Sequence, residues 1–180
     1  MMITKEQHVE TNPVIVTVKL SPNKNFPNST LPVLIYKNAC SLPGQKNKSA
    51  EIIRQIFLKH NWTNSWKNGI YNFHHYHSTT HECMGVCSGK TKIILGGPNV
   101  RRMELATGDI IIIPAGVAHK CSSFSKDFLC VGAYPQGKDY DINLGRPAEL
   151  EKAAAHINKL GIPRQDPLYG KKGFLQSFWK

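Results

Sequence analysis

The stretch GIYNFHHYHSTTHECMGVCSG, Gly69 to Gly89, places His74, His75, His77, His81 and Glu82 within nine consecutive positions and holds four of the chain's eight histidines. Imidazoles crowded around a carboxylate have the chemistry of a metal site, because neutral histidine nitrogens and carboxylate oxygens are ordinary ligands for first-row transition ions. Side chains alternate faces along a strand, so His75 and His77, two apart, point the same way and form a ready pair. Ser78, Thr79 and Thr80 suggest a hairpin, which would fold the next strand back and bring Glu82 into the same space. The same parity sends His74 to the opposite face, where a surface or packing role is expected. His81, beside the carboxylate, is either an exposed turn histidine or a group standing behind the ligands and facing substrate.

The elements that must position these groups follow from hydrophobic patterning. From Gly69 to about Tyr134 the chain is a series of short runs rich in Ile, Val, Phe and Tyr between turn signals, an all-β pattern. The predicted strands are 70–77, 82–88, 91–95, 100–105, 109–114, 118–122 and 128–134, and strands this short with turns this tight close into a barrel or jelly roll. Ahead of them, 14–20 reads as an edge strand and 31–36 as a second one confined to an edge by Pro32. A helix is predicted from about 49 to 60, with Ile52, Ile53, Ile56 and Phe57 at helical spacing and Ser49 as N-cap. Trp62 and Trp66 flank a polar turn and read as packing anchors. After the barrel, a helix over 148–160 meets Gly161 in the C-cap place, with Pro163 preventing continuation. Leu168, Tyr169, Phe174, Phe178 and Trp179 make the tail too apolar to be free, so it should pack on the domain or on a partner. The expected organisation is one domain over 1–180, with a barrel core of about 69–135, strands and a helix over 12–66, and a helix and tail over 146–180.

Within the β region the spacing says more than any single residue. Gly69 is followed after five residues by His75, after one by His77, after four by Glu82 and after six by Gly89; Gly108 is followed after five by Pro114, after one by Gly116, after two by His119. The two patterns resemble the paired motifs of the cupin superfamily, G-x5-H-x-H-x4-E-x6-G and G-x5-P-x-G-x2-H-x3-N. Every position of the first matches, and all but the last of the second, where Ser123 replaces the family's Asn. The stretches FHHYHSTTHE, IIIIPAGVAHK, VGAYPQG, DINLGRP and DPLYG extend the likeness to a group of small single-domain bacterial cupins mostly described as uncharacterised.

That resemblance implies an all-β double-stranded β-helix, a short jelly-roll barrel with one helix before and one after it. It also implies one divalent transition metal, Fe, Mn, Ni, Cu or Zn, held by His75, His77, Glu82 and His119. The residues point to the same four, since His119 follows a Pro-x-Gly turn that lets a strand re-enter the barrel. By parity Met84, Val86, Ile111, Ile113 and Cys121 should line the cavity, with Tyr71 and Phe73 on the face of His75 and His77. Cys83 and Cys87, spaced C-x3-C, face away from Glu82 and lack a second pair at zinc-finger spacing. The function implied is a metal-dependent enzyme acting on a small molecule, with oxygenation, isomerisation and decarboxylation all open and Glu82 as a possible base. The alternative is a non-catalytic module holding a small ligand or the metal itself.

Bulk properties narrow the setting. With 41% hydrophobic and 19% charged residues the composition is that of an ordinary globular protein. The net charge of +11 would suit an anionic polymer, but Lys and Arg are spread thinly, and no specific nucleic-acid binding is expected. Five cysteines form an odd set, and MMITKEQHVE has no apolar leader region, so a reducing cytoplasm is expected. The longest apolar run, from Ile110, is too short to span a bilayer and contains a proline, so no membrane partner is expected. Edge strands and apolar termini make a homodimer the expected assembly.

Overall fold

In the computed structural model, which describes residues 8–180, two antiparallel sheets share one apolar interior. Residues 1–7, on which most of the expectation of a leader-free start falls, lie outside the described residues. The larger sheet runs in the order β1 (Val14–Leu20), β2 (Ser29–Lys37), β7 (Ile110–Ile113), β4 (Glu82–Ser88), β9 (Leu129–Pro135) and β3 (Trp62–Asn68). The smaller contains β6 (Arg101–Ala106), β5 (Lys90–Leu95) and β8 (His119–Phe124). Helix α1 (Lys46–Lys59) precedes the barrel, and α2 (Pro147–Ile157) and the one-turn α3 (Leu175–Phe178) follow it. The fold is the expected all-β jelly roll with flanking helices.

The isoleucines of β7 show how one strand serves two cores. Ile111 and Ile113 point between the sheets and pack with Val18, Val33, Ile93 and Leu95, while Ile110 and Ile112 point outward to the cluster built on α1. Helix α1 supplies Ala50, Ile53, Ile56 and Phe57 to that outer cluster, the stripe its 3.6-residue period predicts. The helix sits close to the sheet because β4 carries Gly85, where an added Cβ would lie 2.8 Å from Ile53 and from Ile110.

Several expected elements move. The predicted strand 70–77 is not a strand: it makes only isolated bridges, His75 with His119 and Tyr76 with Asn143, because its backbone alternates between two neighbours instead of following one. The predicted turn after Trp62 is instead strand β3, paired with β9. Strand β2 is internal despite Pro32, which falls where pairing with β1 is irregular and pairing with β7, which begins at Leu34, has not started. Helix α1 begins three residues before Ser49, whose buried hydroxyl caps nothing. Helix α2 ends at Ile157, short of Gly161, and Leu144 and Arg146 backbone N–H groups donate to Glu149 at its start. The tail is fastened by Asp166, fully buried, which accepts from Tyr36 Oη and from the backbone N–H of Leu168, Tyr169 and Leu175. Trp179 closes it, donating its indole N–H to the Pro32 carbonyl at 2.9 Å.

Candidate metal centre

The backbone brings the histidines together. His75 and His119 exchange both main-chain hydrogen bonds, at 3.2 and 2.9 Å, so their side chains emerge side by side with ring centroids 4.2 Å apart. In the Pro114-x-Gly116 turn that leads into β8, Gly116 donates its N–H to the His77 carbonyl at 2.8 Å. Gly116 has φ +89°, and a Cβ there would lie 2.3 Å from the Asn28 carbonyl, so only glycine fits. The second sequence pattern is thereby tied to the first through main chain alone. Ring nitrogens of His75, His77 and His119 lie within 4.8 Å of one another, and all three side chains are buried.

Each histidine is set in one tautomer. Nδ1 of His75 faces the Phe73 carbonyl at 3.1 Å, that of His77 the Asp141 carbonyl at 2.5 Å, and that of His119 the Val117 carbonyl at 3.0 Å. A carbonyl only accepts, so a proton sits on Nδ1, and each ring when neutral presents its lone pair at Nε2. Glu82 Oε2 lies 3.5 Å from His77 Nε2 and 3.4 Å from His119 Nε2, and among the described residues no hydrogen bond of normal geometry satisfies it. Its other oxygen is engaged: Tyr134 donates to Oε1 at 3.0 Å and Trp66 Nε1 donates to the Tyr134 hydroxyl at 2.8 Å. A buried carboxylate oxygen with no donor, among imidazole lone pairs, lacks a positive charge. This donor set fits a divalent transition ion.

The electrostatics follow. Burial alone would raise the Glu82 carboxyl, but His77 and His119 outweigh it and hold the group well below the usual carboxylate range. Burial opposes protonating His77, yet Glu82 and then Asp141 push its pKa up. His75 is lowered to about 3, chiefly by burial and next by His119.

A cavity of about 210 Å³ opens onto the centre, walled by Trp66, Tyr71, Met84, Tyr134 and Tyr140. Trp66 arrives there through a bulge: two residues, Asn64 and Ser65, stand opposite Ala133 alone, and Asn64 takes φ +53°. The bulge reverses parity, so Trp62 joins the outer core while Trp66 faces inward over Gly132, where a Cβ would lie 2.2 Å from its ring. Tyr140 stacks on Tyr134 with centroids 4.8 Å apart and meets the His77 ring edge-on at 5.1 Å.

Of the residues expected to line the cavity, Tyr71 and Met84 do so. Val86, Ile111 and Ile113 fill the apolar interior instead, because the lower barrel is packed with side chains and is not hollow. Phe73, 41% exposed, stacks on Tyr71 at the rim. Cys121 is buried with its thiol 3.3 Å from Thr91 Oγ1. His74 lies against Phe26, on the far side from the cavity. His81 turns away from the centre: its Nδ1 accepts from Ala115 N–H at 3.0 Å and its ring lies 4.8 Å from Trp179. Cys83 and Cys87 face α1 in the outer core as free thiols, and burial raises the pKa of both. The sequence did not single out Tyr134, Tyr140, Asp141 or the inward role of Trp66. Parity with Gly132 along β9 could have found Tyr134; Tyr140 and Asp141 sit in a loop that carries no period.

A family model described as a cupin domain matches residues 66–130. The uncharacterized protein YjlB of Bacillus subtilis (strain 168) is 37% identical over 148 residues, 82% of this chain and 86% of that protein. An uncharacterized conserved protein with a double-stranded beta-helix domain from Klebsiella pneumoniae superposes with a TM-score of 0.36 at 16% identity, over 81% of this chain and 96% of that one. Acireductone dioxygenase from Bacillus anthracis, solved with cadmium ion in its active center, gives a TM-score of 0.39 at 14% identity, over 56% of this chain and 68% of that one. Structural likeness at this level carries no conclusion about activity.

Proposed function

The chain belongs to the cupin family, and from that premise we propose that it is a metal-dependent enzyme acting on a small molecule, with His75, His77, Glu82 and His119 holding one divalent transition ion. The observation that carries this reading is the unsatisfied Glu82 Oε2 set against His77 and His119 Nε2, in a cluster whose three Nδ1 atoms are all committed to carbonyls. Fe, Mn, Ni, Cu and Zn all suit three nitrogens and one carboxylate, since affinity alone does not select among them. Bound there, the ion supplies Lewis-acid or redox chemistry. The chain's own residues do the rest. Tyr134, itself held by Trp66, fixes Glu82 through Oε1 and leaves Oε2 directed at the centre. The aromatic walls restrict the substrate to a small molecule and exclude water around it. Glu82, kept ionised by two histidines, is the base within reach of a bound substrate.

Beyond the four ligands, the acid–base groups that line the cavity are Lys67 and the phenols of Tyr71, Tyr134 and Tyr140, a short set that leaves oxygenation, isomerisation and decarboxylation all open. The same shortage favours a second reading, a module that holds a small ligand without turning it over. Screening the metal-loaded protein, with and without air, against small diketones, thiols, sugars and organic acids separates the two. Turnover or oxygen uptake that disappears in His77→Ala supports the enzyme. Turnover that survives in that variant overturns it, and a stoichiometric ligand without turnover supports the module.

The setting belongs to the same proposal. Five buried free thiols suit the reducing cytoplasm. Strand β1 ends the larger sheet with Val14 68% exposed, an edge on which a second copy would pair to give a homodimer. Light scattering on the purified chain reads the mass, and a monomer would contradict that assembly. No helix among the described residues is long and apolar enough to cross a membrane.

A further inference from the structure

A second cleft, of about 400 Å³, shares no lining residue with the metal cavity. It lies between the end of α1, the 78–81 turn, the loop after β9 and the tail segment 160–165. Three cations reach it, Lys138, Arg164 and Lys171, and no Asp or Glu lines it. Among the described residues none of the three makes an ion pair or a side-chain hydrogen bond. Of the acidic residues next to the cleft, Asp166 is buried and spends its oxygens on Tyr36 and on three backbone N–H groups, while Asp139, which follows Lys138, accepts from Asn64 Nδ2.

At the floor of this cleft is His81, only 5% exposed. Its Nδ1 accepts the Ala115 N–H, so the ring proton is on Nε2. Among the described residues that buried Nε2 makes no hydrogen bond of normal geometry, and the Gly161 backbone beside it is a weak acceptor that a better one would replace. A buried N–H left unpaired is destabilising until an acceptor reaches it. The cleft thus combines a fixed neutral donor at its base with three uncompensated positive charges around its rim.

We propose that this cleft binds a small phosphorylated molecule, with the phosphate between Lys138, Arg164 and Lys171 and one of its oxygens accepting from His81 Nε2–H. A dianion with several oxygens matches a guanidinium fork and two ammonium groups better than a single carboxylate does. The volume exceeds that of phosphate alone and leaves room for a carbon skeleton beside Leu160 and Ile162.

Isothermal titration calorimetry of the full metal-loaded chain with ribose 5-phosphate, at physiological salt, tests this. The expected result is saturable binding of one molecule per chain, with succinate at least tenfold weaker. Joint replacement Arg164→Gln and Lys171→Gln should weaken binding tenfold or more at unchanged metal content. Lys24→Gln with Lys126→Gln, which removes the same charge elsewhere, should leave it within twofold. His81→Asn puts an amide oxygen where Nδ1 stood, retaining a partner for Ala115 while deleting the Nε2 donor, and should weaken binding at unchanged metal content and far-ultraviolet circular dichroism. Absence of saturable binding, equal affinity for succinate, equal loss in both double variants, or binding abolished by chelating the metal would overturn the proposal.

Discussion

Strand β4 has two faces that do opposite things with the same backbone. Cys83, Gly85 and Cys87 lie under α1 in a mainly apolar cluster, where the helix approaches to contact distance. Glu82 and Met84, alternating with them, look into the cavity, where the carboxylate meets two histidines and a tyrosine. The outer face gains stability by excluding polar groups, and the inner face keeps a buried charge that the fold alone does not fully satisfy. Residues one position apart therefore answer to different requirements: volume on one side, hydrogen-bond bookkeeping on the other.

The two faces should fail in different ways. Phe57→Ala, which empties a fully buried site beneath α1, should cost about 3–5 kcal/mol in chemical denaturation while the surviving folded protein retains its metal stoichiometry. Gly132→Ala should cost about 1–3 kcal/mol by forcing a methyl group into the Trp66 ring, and tryptophan fluorescence should shift as the indole leaves Tyr134. Tyr134→Phe removes the hydroxyl that donates to Glu82 and accepts from Trp66, so stability should fall by about 1 kcal/mol while metal affinity falls about tenfold in a chelator competition. The smallest effect is expected of the outer-face cysteines. Burial pushes Cys40 and Cys87 up to about 12, and Cys83 well above the ordinary thiol range, so a thiol reagent at pH 8 should modify none of these three until denaturant is added. Rapid modification of the native protein would show that α1 does not seal that face.

What could be read from the sequence divides along the same line. Parity along 82–88 placed Glu82 and Met84 on one side and Cys83 and Cys87 on the other, because β4 is paired on at least one edge from Glu82 to Val86 and its register with β9 shifts only between Val86 and Ser88. The strand prediction failed where pairing is broken, although the parity of His74, His75 and His77 held. The segment 70–77 carries two of the three candidate ligand histidines without being a strand, and its geometry comes from single bridges to His119 and Asn143 that no local pattern announces. Trp66 was hidden for a related reason: a left-handed Asn64 inserts one residue and turns the indole from the expected packing side to the cavity. The barrel's hollow part was also overestimated, since alternation tells which side chains point inward but not how many of them fill the space.

The central claim is that Glu82 and the three histidines hold one transition ion. Elemental analysis of the purified chain beside His77→Ala and Glu82→Gln tests it most directly. The account predicts close to one divalent transition ion per chain in the unaltered protein, removable by chelator, with most of it lost from both variants while each keeps its far-ultraviolet circular dichroism. Metal at trace levels in the unaltered protein after growth and purification with added Fe, Mn, Ni, Cu or Zn, or equal metal in all three proteins, would contradict it.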